Sequence, residues 1–264
     1  MDYRCNACGQ PTSTSRGELG REKPSCPGCG STVRFRAVIE AVTKSLLGYS
    51  MTLPEIPERR DLRAVGLSDW YVMAARLAER LNYTNTFYDD EPRLDITHPP
   101  RQLLGQLDLV IASDVFEHVP RPIGRAFTGA FDLLKPGGVL VLTVPYSLDA
   151  DTVEHFPELG TYAIVTLGEQ RILVNRTSNG TIEVFENLVF HGGPGFTLEM
   201  RLFSLNGLEK AMRDAGFVDI DVLGDAPEFG IIWNEPWGRP LVARRPHPDP
   251  VPAAISDDRG REST

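Results

Sequence analysis

Two stretches decide how this chain folds: "LDLVIASDVFEHVP", residues 107–120, and "LLKPGGVLVLTVP", residues 133–145. Each contains an apolar run rich in β-branched residues, and a run without polar alternation reads as a strand buried on both faces, as in a parallel sheet. The first run stops at Ser113 and Asp114 and is followed by Glu117, His118 and Pro120. Upstream, "LRAVGL" (62–67) is a short strand. Ser68 or Asp69 can cap a helix that shares Trp70, Met73, Ala74, Leu77 and Leu81 on one face. "YTNTFY" resumes a strand closed by Asp89 and Asp90, then come "RLDIT" and, after Pro122, a helix. Downstream, "SLNGLEKAMRDAGF" places Leu208, Ala211, Met212 and Ala215 on one face, with Ser204 as cap and Gly216 as stop. "VDIDVL" is a strand, and "FGIIW" and "PLVARR" compete for the closing one. Strands alternating with helices predict an α/β fold with a doubly wound, mostly parallel sheet.

All four cysteines, Cys5, Cys8, Cys26 and Cys29, fall in the pattern C-x2-C-x17-C-x2-C near the N-terminus. Two such knuckles supply four thiolates for a tetrahedral structural Zn²⁺, with no position left for substrate. Two disulfides or a redox dithiol are the alternatives. Residues 1–33 are therefore expected to be a zinc ribbon, with 10–24 as its solvated loop. Residues 34–57 form a connecting helix and linker carrying Val38, Val42, Leu46 and Leu47 and ending at Gly48. Residues 58–245 form the main domain, interrupted by a long insertion at 147–200, and 246–264 a tail expected to be disordered. The chain has 264 residues, 41% hydrophobic and 24% charged, and a net charge of −9. This composition contains no bilayer-spanning run and argues against broad capture of nucleic acid. The opening residues lack a signal-peptide pattern, so the cytoplasm is expected.

At this point the chain resembles class I (seven-stranded, Rossmann-like) S-adenosylmethionine-dependent methyltransferases of the type 11 kind. "DLVIASDVFEHVP" with "LLKPGGVLVLTVP" is similar to their fourth strand, helix and fifth strand, and "GLEKAMRDAGFVDIDVL" to their last helix and hairpin; the likeness covers roughly residues 60–245. It implies S-adenosylmethionine as cofactor. The family's E-x-G-x-G-x-G turn is here "AVGLSDW", which keeps Gly66 only, so Ser68 and Asp69 are expected to meet the cofactor by side chain. Asp89 stands where the family places an acid on the ribose hydroxyls, and Asp95 where one receives the adenine amino group. For either, starting a turn is the plain alternative. Ser113 is expected to line the same crevice.

Asp114, Glu117 and His118 read as D-x-x-E-H, similar to the E-x-x-E-H of metal-dependent O-methyltransferases of this fold. If a helical turn begins at Asp114, all three side chains project together and could hold Mg²⁺ or another divalent cation. The alternative is an E-H pair that lines the pocket without metal. The insertion adds His155 and His191, the latter beside Gly192, Gly193 and Gly195, which suit a closing loop. His118, His155 and His191 are thus the candidate bases. The expected activity is O-methylation of a small-molecule or sugar hydroxyl. An rRNA or tRNA methyltransferase gripping RNA through Arg34, Arg36 and Lys44 is a second reading. A binding protein with a degenerate cofactor turn is a third.

Overall fold

The computed structural model describes residues 1–191 and 197–248. Gly192, Gly193, Gly195 and nearly all of the expected tail, from residue 249 on, lie outside the described residues. A hairpin of β1 (Asp2–Arg4) and β2 (Pro11–Ser13) opens the chain, followed by α1 (Val33–Val42). Then come β3 (Arg59–Leu67), α2 (Tyr71–Arg80), β4 (Leu81–Thr86), β5 (Leu107–Ser113), α3 (Gly124–Leu133) and β6 (Leu134–Thr143). The insertion holds short strands β7 (Tyr146–Ser147) and β8 (Val153–Glu154), followed by the meander β9 (Thr161–Leu167), β10 (Gln170–Arg176) and β11 (Ile182–Phe185). After the meander come β12 (Phe190–His191) and β13 (Thr197–Leu198), still within the insertion, and then β14 (Arg201–Ser204), α4 (Leu205–Asp214), β15 (Val218–Val222) and β16 (Leu241–Arg244).

The central sheet has the order β15-β16-β6-β5-β3-β4, with β4, β3, β5 and β6 parallel, β16 antiparallel to β6, and β15 antiparallel to β16. The order reverses between β3 and β5. In doubly wound sheets the ligand crevice lies at such a switch point, beyond the carboxyl ends of the strands. The turn after Leu67 and the turn after Ser113 therefore face each other across it.

Among the described residues the central sheet has six strands, where the resemblance implies seven. Between β4 and β5, "RLDIT" forms no strand beyond a bridge of Phe87 with Arg93, because the Asp95 carboxylate folds a turn by accepting from the Thr97 amide and hydroxyl (2.9 and 2.7 Å). "PLVARR" supplies the closing strand, while "FGIIW" contributes a short 3-10 turn and a bridge. Neither Ser68 nor Asp69 caps α2, whose N-cap is Trp70, and Leu81 opens β4. Asp89 and Asp90 lie in exposed bends beyond the end of β4. Ser204 and Gly216 (φ +101°) do bound α4 as expected.

Successive residues of the central strands enter opposite cores, as the side-chain period of 2 requires. Leu109, Ile111, Val139 and Val141 pack toward α1 and α2, and Val110, Ala112, Leu140 and Leu142 toward α3 and α4. The first of these cores also contains Tyr3, Cys5, Ala7, Leu19 and Cys26, so the cysteine module is packed on the sheet rather than tethered to it. A third small cluster, Phe156, Leu173, Leu198 and Met200, holds the insertion.

Candidate active site

Asp114, which follows β5, has a left-handed backbone (φ +54°) that turns its carboxylate toward the N-terminal module. Arg21 grips it bidentately (2.9 and 2.7 Å), the Thr143 hydroxyl donates at 2.9 Å, and Arg34 stands 3.2 Å away. Burial pushes this carboxyl up, but the Arg21 hydrogen bonds and the charges of both arginines outweigh it and hold it below its usual value. Asp114 therefore does not join Glu117 and His118 in a ligand set. The expected three-residue face fails because the turn is a single 3-10 turn, Phe116–His118, that starts after Asp114.

In its place the fold brings His191 across from the insertion. One ligand atom each from Glu117, His118 and His191 falls within 4.8 Å of the others, and the two imidazoles lie 5.0 Å apart. Glu117 is fully buried, neither of its carboxylate oxygens has a hydrogen-bond partner, and Oε1 lies 3.7 Å from His118 Nε2. Burial first, and Asp114's charge second, raise its carboxyl well above the ordinary range. His118 Nδ1 lies 3.0 Å from the Leu198 carbonyl, so that nitrogen carries the proton and Nε2 keeps its lone pair toward Glu117. Burial lowers the His118 pKa, which favours the neutral ring. Glu199 accepts from His191 Nε2 (2.7 Å) and His155 Nε2 (2.9 Å). His155 is thus one step removed from the cluster, orienting Glu199 from the far side.

Arg201 locks this assembly. Fully buried, it forks onto Glu154 (2.8 and 3.3 Å) and donates to the carbonyls of Phe116 (3.0 Å) and Val119 (2.6 Å), while the Met200 amide donates to the Glu117 carbonyl (2.8 Å). No sequence signal marks Glu199 or Arg201, since each acts through contacts with residues at least eight positions away in the chain.

Across the switch point, the turn after β3 offers little backbone to a ligand. The Ser68 amide (φ +57°) donates to the Thr86 carbonyl at 2.7 Å, and the Asp69 amide to Asn85 Oδ1 at 2.8 Å. Gly66 is needed for close approach: a Cβ there would meet Asp69 Oδ2 and the Tyr83 hydroxyl at 2.1 Å each. Those two groups hydrogen-bond at 2.8 Å, and Asp69 Oδ1 has no partner. Burial raises the Asp69 carboxyl to about 7, with Tyr83 and the Arg34 charge opposing. Ser113 is taken up by Arg34 (2.6 Å) and Thr143 (3.0 Å). Asp89 is exposed in a bend beyond β4, and the Asp95 carboxylate is engaged in its own turn.

The four cysteine sulfurs also lie within 4.8 Å of one another, with Cys5–Cys29 and Cys8–Cys26 at 3.7 Å. Arg36 is fully buried beside them, donates to Ser31, Ser25 and the Gly230 carbonyl (2.8–3.0 Å), and lies over Tyr3. Burial pulls the Arg36 guanidinium below its ordinary value, opposed by Tyr3 and by Cys5, Cys26 and Cys29 beside it. Arg36 is therefore internal, and Arg34 is paired with Glu22 and Asp114, so two of the three residues expected to grip RNA do not form an open basic surface. A cavity of about 420 Å³ near Gly137, Arg244 and His247 lies at the opposite ends of the strands and is separate from the crevice.

Residues 48–222 match the family described as a methyltransferase domain. The chain belongs to this family, and its sheet order and switch-point crevice are those of the S-adenosylmethionine-dependent class. No curated protein matches it in sequence. Among solved structures it is similar to CalS10, an amino pentose methyltransferase from Micromonospora echinaspora with bound S-adenosylmethionine (15% identity, 83% of this chain and 93% of that one, TM-score 0.45). It is also similar to the 1,6-didemethyltoxoflavin N1-methyltransferase of Burkholderia thailandensis (15%, 80% and 78%, TM-score 0.41) and to a methyltransferase from Clostridium acetobutylicum (11%, 81% and 92%, TM-score 0.43). Among the described residues no helix is long and apolar enough to cross a membrane.

Proposed function

We propose that the chain is an S-adenosylmethionine-dependent O-methyltransferase whose acceptor is a hydroxyl of a small molecule, with a sugar or oligosaccharide preferred. The observation that carries this reading is the group Glu117, His118 and His191, backed by Glu199 and His155, beyond the carboxyl end of β5. Methyl transfer to nitrogen or to an activated carbon needs alignment above all, whereas an aliphatic hydroxyl must also lose a proton. His118 is the general base, because its free Nε2 faces into the group while Leu198 holds the ring. His191, oriented by Glu199, is the alternative base or a partner in positioning the hydroxyl.

The same donors suit a divalent cation, and the orphaned Glu117 carboxylate is the observation that favours one. Two imidazoles and one carboxylate match zinc, iron or manganese better than Mg²⁺, which prefers an oxygen-rich octahedron. A cation so held would lower the pKa of a bound hydroxyl. Zinc in the four-cysteine site is structural in this reading. Asp89 is assigned to the ribose hydroxyls, and Ser68, Asp69 and Ser113 to the rim of the cofactor crevice.

The test is transfer of labelled methyl from S-adenosylmethionine to a panel of sugars, oligosaccharides and phenols, with amines as the comparison. His118→Asn should lower turnover on the order of 10²–10³-fold, with S-adenosylhomocysteine affinity within about twofold of wild type. Glu117→Gln should lower turnover and remove any metal beyond the ribbon's single equivalent. Transfer to amines alone would overturn the O-methyl assignment.

A further inference from the structure

Glu22, in the loop of the cysteine module, reaches the centre of the crevice. Its carboxylate takes a bidentate grip from Arg34 (2.7 and 2.8 Å) and a further hydrogen bond from Arg21. The two arginine side chains are only 11% and 12% exposed, whereas Glu22 is 53% exposed and reaches them from solvent. Arg34 also donates to Ser113 at the end of β5, and its charge bears on Asp69 after β3. Its guanidinium therefore spans the switch point between the two turns. Arg21 is fixed from behind by Asp114 and by the Gly238 carbonyl. The pair is a preorganised fork whose outward-facing partner is a half-exposed carboxylate. A guanidinium fork matches any carboxylate of the same shape.

The adjacent turn is poorly equipped for that task. The amides of Ser68 and Asp69 are already consumed by Thr86 and Asn85, and the later glycines of the family's turn are absent. From this geometry we infer that Arg34, supported by Arg21, is the receptor for the α-carboxylate of the cofactor's methionine arm, and that Glu22 is an internal competitor displaced when the cofactor enters. The inference rests on the reading of this crevice as the S-adenosylmethionine site. It makes the cysteine module part of the cofactor site, since the module's loop carries both Arg21 and the competing acid. Because the bound state forms only when Glu22 has swung out, the apparent affinity is reduced by the fraction of molecules with Glu22 seated.

The experiment compares calorimetric binding of S-adenosylhomocysteine with that of 5′-methylthioadenosine, the same thioether nucleoside without the amino-acid arm. Glu22→Gln removes the competing charge from a half-exposed position and should tighten S-adenosylhomocysteine binding about three- to tenfold, leaving 5′-methylthioadenosine unchanged. Arg34→Gln should weaken S-adenosylhomocysteine at least tenfold, again with 5′-methylthioadenosine within about twofold, which shows that the crevice is still folded. If Glu22→Gln leaves S-adenosylhomocysteine affinity unaltered, or if either variant shifts both nucleosides equally, the carboxylate receptor is overturned while the cofactor reading stands. Failure of the wild-type protein to bind either nucleoside overturns both.

Discussion

Asp69 is the residue at which folding and ionisation conflict most plainly. Burial raises its carboxyl from 3.8 to about 7, so the folded state favours the protonated form. A group raised in this way contributes stability that is complete below its unfolded pKa and is lost as pH rises through the folded value. The protein should therefore lose stability between about pH 4 and pH 7 from this residue. Asp69→Asn keeps an oxygen to accept from Tyr83 and cannot ionise; it should flatten that slope and gain about 1–3 kcal/mol over wild type at pH 8. Denaturant melts from pH 5 to 8.5 would read this, and an unchanged slope would mean that Asp69 stays charged in the fold. Glu117 poses the same conflict more severely, with both oxygens orphaned, and the fold retains it beside His118 where a proton or a cation can satisfy it.

At the scale of elements, two buried arginines join segments that have little else in common. Arg36 of α1 ties Ser25 and Ser31 in the second cysteine knuckle to Gly230 near the C-terminus. Cys5, Cys26 and Cys29 stand close enough for their charge to favour the Arg36 cation, so the cluster and the arginine are expected to depend on each other. Cys26→Ser should reduce zinc content by one equivalent and lower the melting temperature. Arg36→Met should cost about 3–5 kcal/mol, the scale of losing one member of a buried charge group. Arg201 does the equivalent work for the insertion, joining β14 to Glu154 and to the carbonyls that flank Glu117 and His118. Arg201→Met should leave S-adenosylhomocysteine binding nearly intact but lower turnover, because the loss falls on the Glu117–His118 turn. Equal losses in binding and turnover would show that the damage is global.

For the whole molecule, the cysteine module and the sheet have one core between them. Tyr3, Cys5, Ala7 and Leu19 lie in the same cluster as Leu109, Ile111 and Val141, and Gly230 (φ +67°) is a glycine whose would-be Cβ faces the Tyr3 ring at 2.7 Å. Removing residues 1–32 would expose that face of the sheet along with the base of the crevice. The truncated chain should therefore lack a cooperative melt and fail to bind S-adenosylhomocysteine, rather than behave as a smaller intact methyltransferase. A sharp melt with retained binding would show that the module is dispensable.

The alternation of apolar strands and amphipathic helices, the bounds of α4 at Ser204 and Gly216, and the four-cysteine spacing were all legible along the chain, because each is a local rule of period, cap or ligand distance. Glu117 and His118 stood out by residue type at the end of β5, where the structure brings them together with His191. Their partners did not stand out. Asp114 appeared to belong with them by spacing, but a left-handed backbone and two arginines from the cysteine module draw it away, and His191 arrives from a strand 73 residues beyond His118. The ribbon read as a unit docked by the helix that follows it, since nothing local reveals that Tyr3 and Cys5 themselves share a core with β5 and β6. Sequence pattern determined which elements form and which ionisable side chains stand at their ends. Which of those residues meet was decided by long-range burial and charge pairing, where Arg21, Arg34 and Arg201 found carboxylates that no periodicity connects to them.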